Sequence, residues 1–506
     1  MMNISYGLKS HLLLLSHCQT LSDRRVKIYR TSVIFLYLIP LMAIWFFEYL
    51  PFQDYPRHLA GIKVLRGYYN SDILMEHFSI NFFKGISPIP NIAFELFAAK
   101  ICYFCSINTA GKLFISCYVL LFIFSTYLLS RELNIEFADA LLMILPLVYS
   151  TYFYMSFLNF IFSMPLYLIS IWAYFCAKRE ERYLILLGIV LIPLYISHLF
   201  AFASFLLFLF LDLVLSFRRV SRRFILFIFF SISIPLIFSI NYLLSGTGNA
   251  GYYHPDGIWY KNIMFAFPFL YFSLNSGIIM FVSYVFALLS IFYGFKVING
   301  VFVVAAASYL LIYLALPFSS IEGTFVDVRA LAFSMLMLPF SVRLEGNRYK
   351  YAAFAVILLI SFLNSSAAWS SFSKFNREVS PGLECLKRVE DRSKLLYIVK
   401  GKNSPSGQYF LGEPYAHAWG YAFLYKDFMT PDFSSKGHHV VKYRKEPYIP
   451  PDGWYSSPGD GVESEIKRHY TYIAIVGIDE SINNTMGHIG TKVCESGIIS
   501  LYTLNK

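Results

Sequence analysis

The sequence predicts an all-α polytopic membrane bundle of about eleven transmembrane helices, followed by a small extracytoplasmic α/β domain. Three observations predict it. The chain has 506 residues, 57% hydrophobic and 14% charged, where soluble proteins average about a quarter charged. Apolar runs of about 20 residues recur between positions 31 and 370, each long enough to cross a ~30 Å hydrocarbon core. After "FLNSSAAWSS" the composition turns polar. A barrel would instead alternate apolar and polar residues over segments of about 10.

Residues 1–30 read as a cytoplasmic N-terminal segment. "HLLLL" is too short for the core of a cleaved signal, and no small-residue cleavage site follows it. Cytoplasmic loops carry Lys and Arg, and the basic clusters are "RRVKIYR" (24–30), "KREER" (178–182), "RRVSRR" (218–223) and "RLEGNRYK" (343–350), with "SREL" (130–133) and Lys296 as weaker members. If all face one side, the crossings between them come in even numbers. The runs 138–154 and 156–177, then 183–197 and 199–217, satisfy this. Two intervals hold one run too many. In each, one run is a poor span: 91–108 contains Asn91, Glu95 and Lys100, and 262–274 is short and contains Pro268. Both read as surface or re-entrant helices. Eleven crossings remain, with the N-terminus inside and everything after about 370 outside. The formal charge of +11 then reflects loop asymmetry rather than a nucleic-acid partner.

With this topology the outward joints are 52–111, 155–159, 198, 245–262 and 318–329. They hold Asp54, Arg57 and His58; Asn159; His198; Tyr252, Tyr253 and His254; and Glu322, Asp327 and Arg329. Asp54 begins "DYPRH" just past the first apolar run. Asp is among the best helix N-caps and Pro suits a first turn, so a capping role is one reading. A cap does not require Arg57 and His58 beside it, and ionisable groups at a membrane edge mark functional sites.

The layout resembles the GT-C glycosyltransferases, a superfamily that includes the protein O-mannosyltransferases and the aminoarabinose transferase of lipid A. A first span leads to a long outer loop opening with an acidic residue. A "P-x-x-x-x-E-L" amphipathic segment in "SPIPNIAFELFAAKICYFCSINTAGKLFISCYVLL" then leads to the second span, and "STYFYMSFLNFIFSMPLYL" is similar to the outer joint between spans three and four. The resemblance implies a transmembrane domain over 31–370 with its first outer loop at 52–111. It further implies transfer of a sugar from a polyprenyl-phosphate donor, on the extracytoplasmic face, to a lipid, glycan or protein acceptor. Asp54 matches the family's first-loop acid, which acts as catalytic base or metal ligand, so a divalent metal at Asp54 is allowed and no other cofactor is implied. Where the family often has a second acid, between spans three and four, this chain has Asn159, leaving one carboxylate for base work.

These residue types suit that chemistry. Inverting glycosyl transfer needs a carboxylate to take the acceptor's proton. The leaving phosphate needs cations, and Arg meets phosphate with a bidentate fork. Arg57 and Arg329 are the candidates, with His58 and His198 as further donors and Asn159 and Asp327 completing the substrate set. Asp327 and Arg329 stand two apart and do not share a helix face. His198, in "LYISHLFAF", is the polar residue of a tight joint. Tyr252, Tyr253 and His254 read either as an interfacial aromatic belt or as a surface that stacks on sugar or acceptor.

Residues 371–506 read as the extracytoplasmic domain. "KLLYIVK", "YTYIAIVGI" and "GIISLYTL" resemble strands, "GVESEIKRHY" a helix, and "KNSPSG" and "SSPGDG" turns. His417, His438 and His439 stand out there, but vicinal histidines on a strand point to opposite sides and make a poor metal site. Cys385 and Cys494 are its two thiols and could pair in an oxidising compartment. Cys102 and Cys105 form a CxxC without a partner pair. No retention signal ends the sequence, so a bacterial plasma membrane is the expected location. Two other functions compete: a non-catalytic transporter or flippase of lipid-linked glycans, and a glycan polymerase or ligase. Transporters tend to have internal repeats and mid-membrane charges, whereas here no repeat is seen and ionisable groups gather at span ends.

Overall fold

The computed structural model describes residues 26–216, 221–245, 251–292, 296–297, 299–320, 323–343, 349–400, 409–431, 433, 439–451, 454, 460–477 and 480–504. Glu322 and His438 lie outside the described residues. Among the described residues six helices are long and apolar enough to cross a membrane: α1 (Val26–Phe46), α5 (Ile107–Glu132), α8 (Leu158–Arg179), α10 (Leu199–Ser216), α11 (Arg222–Leu244) and α16 (Lys350–Leu386). Shorter apolar helices stand among them: α6 (Phe137–Val148), α9 (Tyr183–Ser197), α13 (Leu274–Phe292), α14 (Gly300–Ala315) and α15 (Val326–Met337). The protein is a multi-pass integral membrane protein.

The apolar exterior follows from the solvent. Phe46, Phe230, Ile279, Leu311 and Phe362 are each about two-thirds exposed or more, an outward apolar surface that only lipid satisfies. Helix α8 is the hub, with 83% of its apolar window buried, whereas α11 buries 22% and faces lipid. Two of the long helices start on a serine cap. Ser106 accepts from the Thr109 N–H at the start of α5, and Ser221 from the Phe224 N–H at the start of α11, each at 3.1 Å.

The run at 138–154, expected as one helix, is broken. It folds as α6 and the single turn α7 (Thr151–Tyr154), separated at Tyr149 and Ser150. Ser150 is extended, at φ −97° and ψ −178°, and this turns the chain back toward α8. The two runs read as poor spans are short helices. In 91–108 the helix is α4 (Ala93–Ile101), and in 262–274 the chain forms the end of α12 (Gly257–Met264) and a 3-10 turn at Phe267–Phe269. At 1.5 Å per residue α4 is about 14 Å long and α12 about 12 Å, too short to cross.

The bundle has two chemically distinct ends. At one, Arg30 pairs with Glu136 (2.8 Å), Arg179 with Glu132 (3.1 Å), Lys178 with Asp212 (2.7 Å) and Lys350 with Asp139 (3.5 Å). At the other lie the segment after α1, the start of α8, the joint between α9 and α10, and the start of α15. Along α8, Asn159 and Arg179 stand about 30 Å apart.

The segment after α1 carries α2 (Tyr55–Gly67) and α3 (Asp72–His77), and its strand Phe78–Ile80 pairs antiparallel with Val441–Tyr443 of the C-terminal region. In that region a four-stranded sheet runs in the order Gly490–Ser496, Ile499–Leu504, Tyr472–Val476, Leu395–Val399. Its last pair is parallel, with Ala474 opposite Tyr397. Helices α17 (Trp419–Phe423), α18 (Asp460–His469) and α19 (Glu480–Ile489) complete it. A disulfide joins Cys385, at the end of α16, to Cys494 in the sheet, with Cα atoms 5.8 Å apart. It ties the long helix to the domain it leads into.

Candidate active site

A cavity of about 260 Å³ opens at the end of the bundle opposite the ion-paired one. Its walls include Asp54, Arg57 and His58 from the α2 segment, Asn91 and Glu95 from the α4 segment, Asn159 and Phe160 from α8, His198, Arg329, and His439 from the C-terminal region. Asp54, Arg57, His58, Asn159, His198 and Arg329, scattered over some 275 positions of sequence, thus meet in one chamber.

Asp54 occupies the N-cap position of α2, and its backbone carbonyl accepts from the His58 N–H at 3.0 Å. Its side chain makes no capping hydrogen bond. The carboxylate instead faces the Arg57 guanidinium at 3.9 Å and His417 Nε2 at 3.4 Å. Burial alone would raise its pKa, but Arg57, His417 and His58 outweigh burial and hold it down at about 2. Asp54 is therefore ionised at neutral pH, and the stability its ionisation contributes is lost only as pH falls through that low value.

The residues before Asp54 fix where it points. Phe52 is fully buried among the rings of Phe153, Tyr154 and Phe372. The Gln53 N–H donates to the Tyr154 carbonyl at 3.2 Å. Pro56 then sets the first turn of α2.

Glu95 is a second carboxylate in the cavity wall, so the expectation of a single one is corrected. Its Oε1 lies 2.9 Å from His58 Nδ1, and its Oε2 accepts from Asn159 Nδ2 at 3.1 Å. Asn159 also donates to the Asn91 carbonyl at 2.6 Å and accepts from the Phe94 N–H at 2.7 Å. Only an amide can do all three. Asn91 itself is left-handed, at φ +65°, a conformation Asn tolerates. Glu95 stood out in the sequence only as an obstacle to a span, and the "P-x-x-x-x-E-L" pattern was the signal for it.

On the opposite wall Ser156, at φ +60°, makes the tight turn between α7 and α8, and Phe325, at φ +59°, precedes α15. These turns aim Phe157, Phe160 and Arg329 at one another. The Arg329 guanidinium lies over the two rings at 5.7 and 5.8 Å and donates to the Thr324 carbonyl at 3.4 Å. The stacked plane is held in place by cation–π attraction. His198 follows α9, its ring edge against Phe160 at 5.2 Å, and its Nδ1 accepts from the Phe200 N–H at 3.1 Å. In the neutral ring that puts the proton on Nε2.

Four predicted residues do not line this chamber. Asp327 is fully buried and paired with Lys261 at 2.5 Å. It points away from Arg329, as their spacing of two requires. The Tyr252 backbone pairs with Ser319, Tyr253 donates to the Ala315 carbonyl at 3.2 Å, and His254 stacks on Tyr260 at 4.4 Å. These contacts hold the 252–254 segment on the α14–α15 connection.

A divalent ion does not suit Asp54. Its close charged neighbours are Arg57, His417 and His58, and the expected second acid is Asn159, whose oxygen is committed to Phe94. Among the described residues no group of three or more His, Cys, Asp or Glu could hold a metal. The arrangement instead provides an ionised carboxylate beside arginines and histidines that can meet a phosphate.

No family model and no curated protein matches the chain. Among solved structures, ArnT from Cupriavidus metallidurans, crystallised in the apo state, superposes with a TM-score of 0.55 over 95% of this chain and 98% of its own, at 7% identity. The two chains share a fold over nearly their whole lengths.

Proposed function

We propose that this protein is a membrane glycosyltransferase that moves a sugar from a polyprenyl-phosphate donor to a lipid, glycan or protein acceptor. The observation that carries the reading is Asp54. On a GT-C fold it is an uncapped, ionised carboxylate in the wall of a cavity that also holds two arginines and several histidines. The reaction is placed on the extracytoplasmic face of a bacterial plasma membrane, a side on which the Cys385–Cys494 disulfide would persist.

In this reading Asp54 takes the proton of the acceptor group as its oxygen bonds to the anomeric carbon. The bond from that carbon to the phosphate oxygen breaks, and its electron pair leaves with the lipid phosphate. Arg57 and Arg329 bind that phosphate with their planar forks. His198 and His58 supply further donors, and Asn159 keeps the α4 wall in position. Fixed donors of this kind stabilise charge without reorganising during the reaction.

The test uses the full chain in lipid nanodiscs, supplied with radiolabelled polyprenyl-phosphate sugars and membrane acceptors. Wild type transfers label, and Asp54→Asn loses about 10²–10⁴-fold of the rate, the usual worth of a general base. Equal transfer by both forms removes Asp54 from the mechanism. Movement of labelled carrier across the membrane with no bond formed would instead assign a flippase.

A further inference from the structure

Segment 410–421 of the C-terminal region cradles the strand of chain that ends at Asp54. The Tyr421 hydroxyl bonds both the N–H and the carbonyl of Leu50, each at 2.8 Å. The Glu413 N–H donates to Gln53 Oε1 at 3.2 Å. Tyr271, which accepts from the Phe410 N–H at 3.1 Å, donates its own hydroxyl to the Pro51 carbonyl at 2.8 Å. Gly420 sits so close to Pro56 that a Cβ there would lie 2.3 Å from its carbonyl oxygen.

Within that cradle His417 reaches the carboxylate. Its Nε2 is 3.4 Å from Asp54 Oδ1, while its buried Nδ1 has no hydrogen-bond partner among the described residues. The contact with Asp54 is thus the polar interaction that orients the ring. We propose that His417 is a positioning residue for Asp54, a donor supplied by the C-terminal domain that fixes one carboxylate oxygen and leaves the other to face the cavity. This rests on the glycosyltransferase reading for its catalytic meaning, but the contact itself can be tested without it.

His417 stands where a helix cap would otherwise compete. Asp54 Oδ1 is engaged by the imidazole and Oδ2 lies toward Arg57, so the carboxylate does not fold back onto the free N–H groups of α2. The charged and titratable groups facing the pair are Arg57 and His58 on α2 and the Tyr271 phenol, which feels the Asp54 charge. Glu95, His198, Arg329 and His439 line the same cavity. Removing His417 leaves Arg57 and His58 to oppose burial, so the carboxylate becomes easier to protonate.

Two readouts separate this role from mere packing. Dicyclohexylcarbodiimide reacts with protonated carboxyl groups, so labelling of Asp54 against pH, followed by peptide mass spectrometry of the full-length protein, reports its protonation. In His417→Ala labelling should begin about one pH unit or more higher than in wild type, as expected for losing an opposite charge at this range. The acid limb of the transfer rate should move up with it, and kcat should fall about tenfold, part of the worth of a base, with donor KM unchanged. His417→Gln keeps an N–H donor and should recover most of the rate.

Failure of His417→Ala to shift the labelling onset overturns the inference even if activity falls, because lost packing would lower activity without changing protonation. A shifted onset in a protein that transfers no sugar leaves the contact standing and sinks the glycosyltransferase reading. Transfer by wild type with an unmoved onset does the reverse.

Discussion

Asn159 of α8 and Glu95 of α4 are joined by an amide-to-carboxylate hydrogen bond of 3.1 Å, and the same amide holds the Asn91 carbonyl and the Phe94 N–H. Position 159 is therefore a clamp that seats α4 against the hub of the bundle. The resemblance to GT-C enzymes leads one to expect an acid there. The clamp explains the amide: the second carboxylate of the wall comes from Glu95, and position 159 must donate to it.

Asn159→Asp should consequently be harmful, although it restores the acid expected at this joint. It would set a second carboxylate against Glu95 and the Asn91 carbonyl and take the amide donor away from Glu95 Oε2 and from that carbonyl. A loss of about 1–3 kcal/mol is expected for buried polar groups stripped of partners. Thermal unfolding in detergent should show a lower midpoint, and transfer should fall with it. An unchanged midpoint would mean that the clamp does not hold α4.

The sequence carried the two-ended chemistry of the bundle well. Basic residues such as Arg30, Lys178, Arg179 and Lys350 report one end through a composition rule that needs no tertiary knowledge. By elimination the remaining polar joints share the other end, where Asp54, Arg57, His58, Asn159, His198 and Arg329 meet. What stayed hidden required contacts between distant segments. His417 reaches Asp54 across more than 360 positions, and no periodicity links the two. His439 enters the cavity through the pairing of Val441–Tyr443 with Phe78–Ile80, two three-residue strands too short to predict.

Local contacts decide where several other residues point. A capping role for Asp54 is sterically available, yet Arg57 and His417 draw its carboxylate away from the α2 N–H groups. The 252–254 aromatics sit near the same end of the bundle, but a short backbone ladder to Ser319 and the stack on Tyr260 keep them out of the chamber. Asp327 lies two positions from Arg329 in sequence, while its side chain pairs with Lys261, 66 positions earlier.

The Lys261–Asp327 pair makes a sharp prediction about stability. Lys261 Nζ also donates to the carbonyls of Tyr313 and Leu316, at 2.9 and 2.8 Å, so one ammonium ties α12 to both α14 and α15. Removing one partner of a buried pair leaves an uncompensated charge, at a cost of about 3–5 kcal/mol. Asp327→Asn and Lys261→Met should each lower the unfolding midpoint strongly. The double variant Lys261→Met with Asp327→Leu should recover much of that loss. Donor KM in material that remains folded should be unchanged, and a rise in KM without loss of stability would return Asp327 to the substrate set.

Gly420 tests whether the C-terminal domain must dock for the cavity to work. It lies outside the cavity wall, on α17, and no side chain fits there: a Cβ would stand 2.3 Å from the Pro56 oxygen and 2.5 Å from its carbonyl carbon. Both are backbone atoms at the start of α2, so relief requires α17 to move away. Gly420→Ala should destabilise the docked state by about 1–3 kcal/mol, the usual cost of overpacking a tight contact. The neighbouring Lys63–Asp427 ion pair, 2.6 Å in length, and the Tyr421 bonds to Leu50 would be strained by the same motion. Limited proteolysis should then cut faster between residues 409 and 431, and transfer should drop even though every cavity residue is retained. Faster cleavage with full activity would show that the membrane domain holds Asp54 in place unaided, and the cradle around residues 50–54 would lose its assigned role.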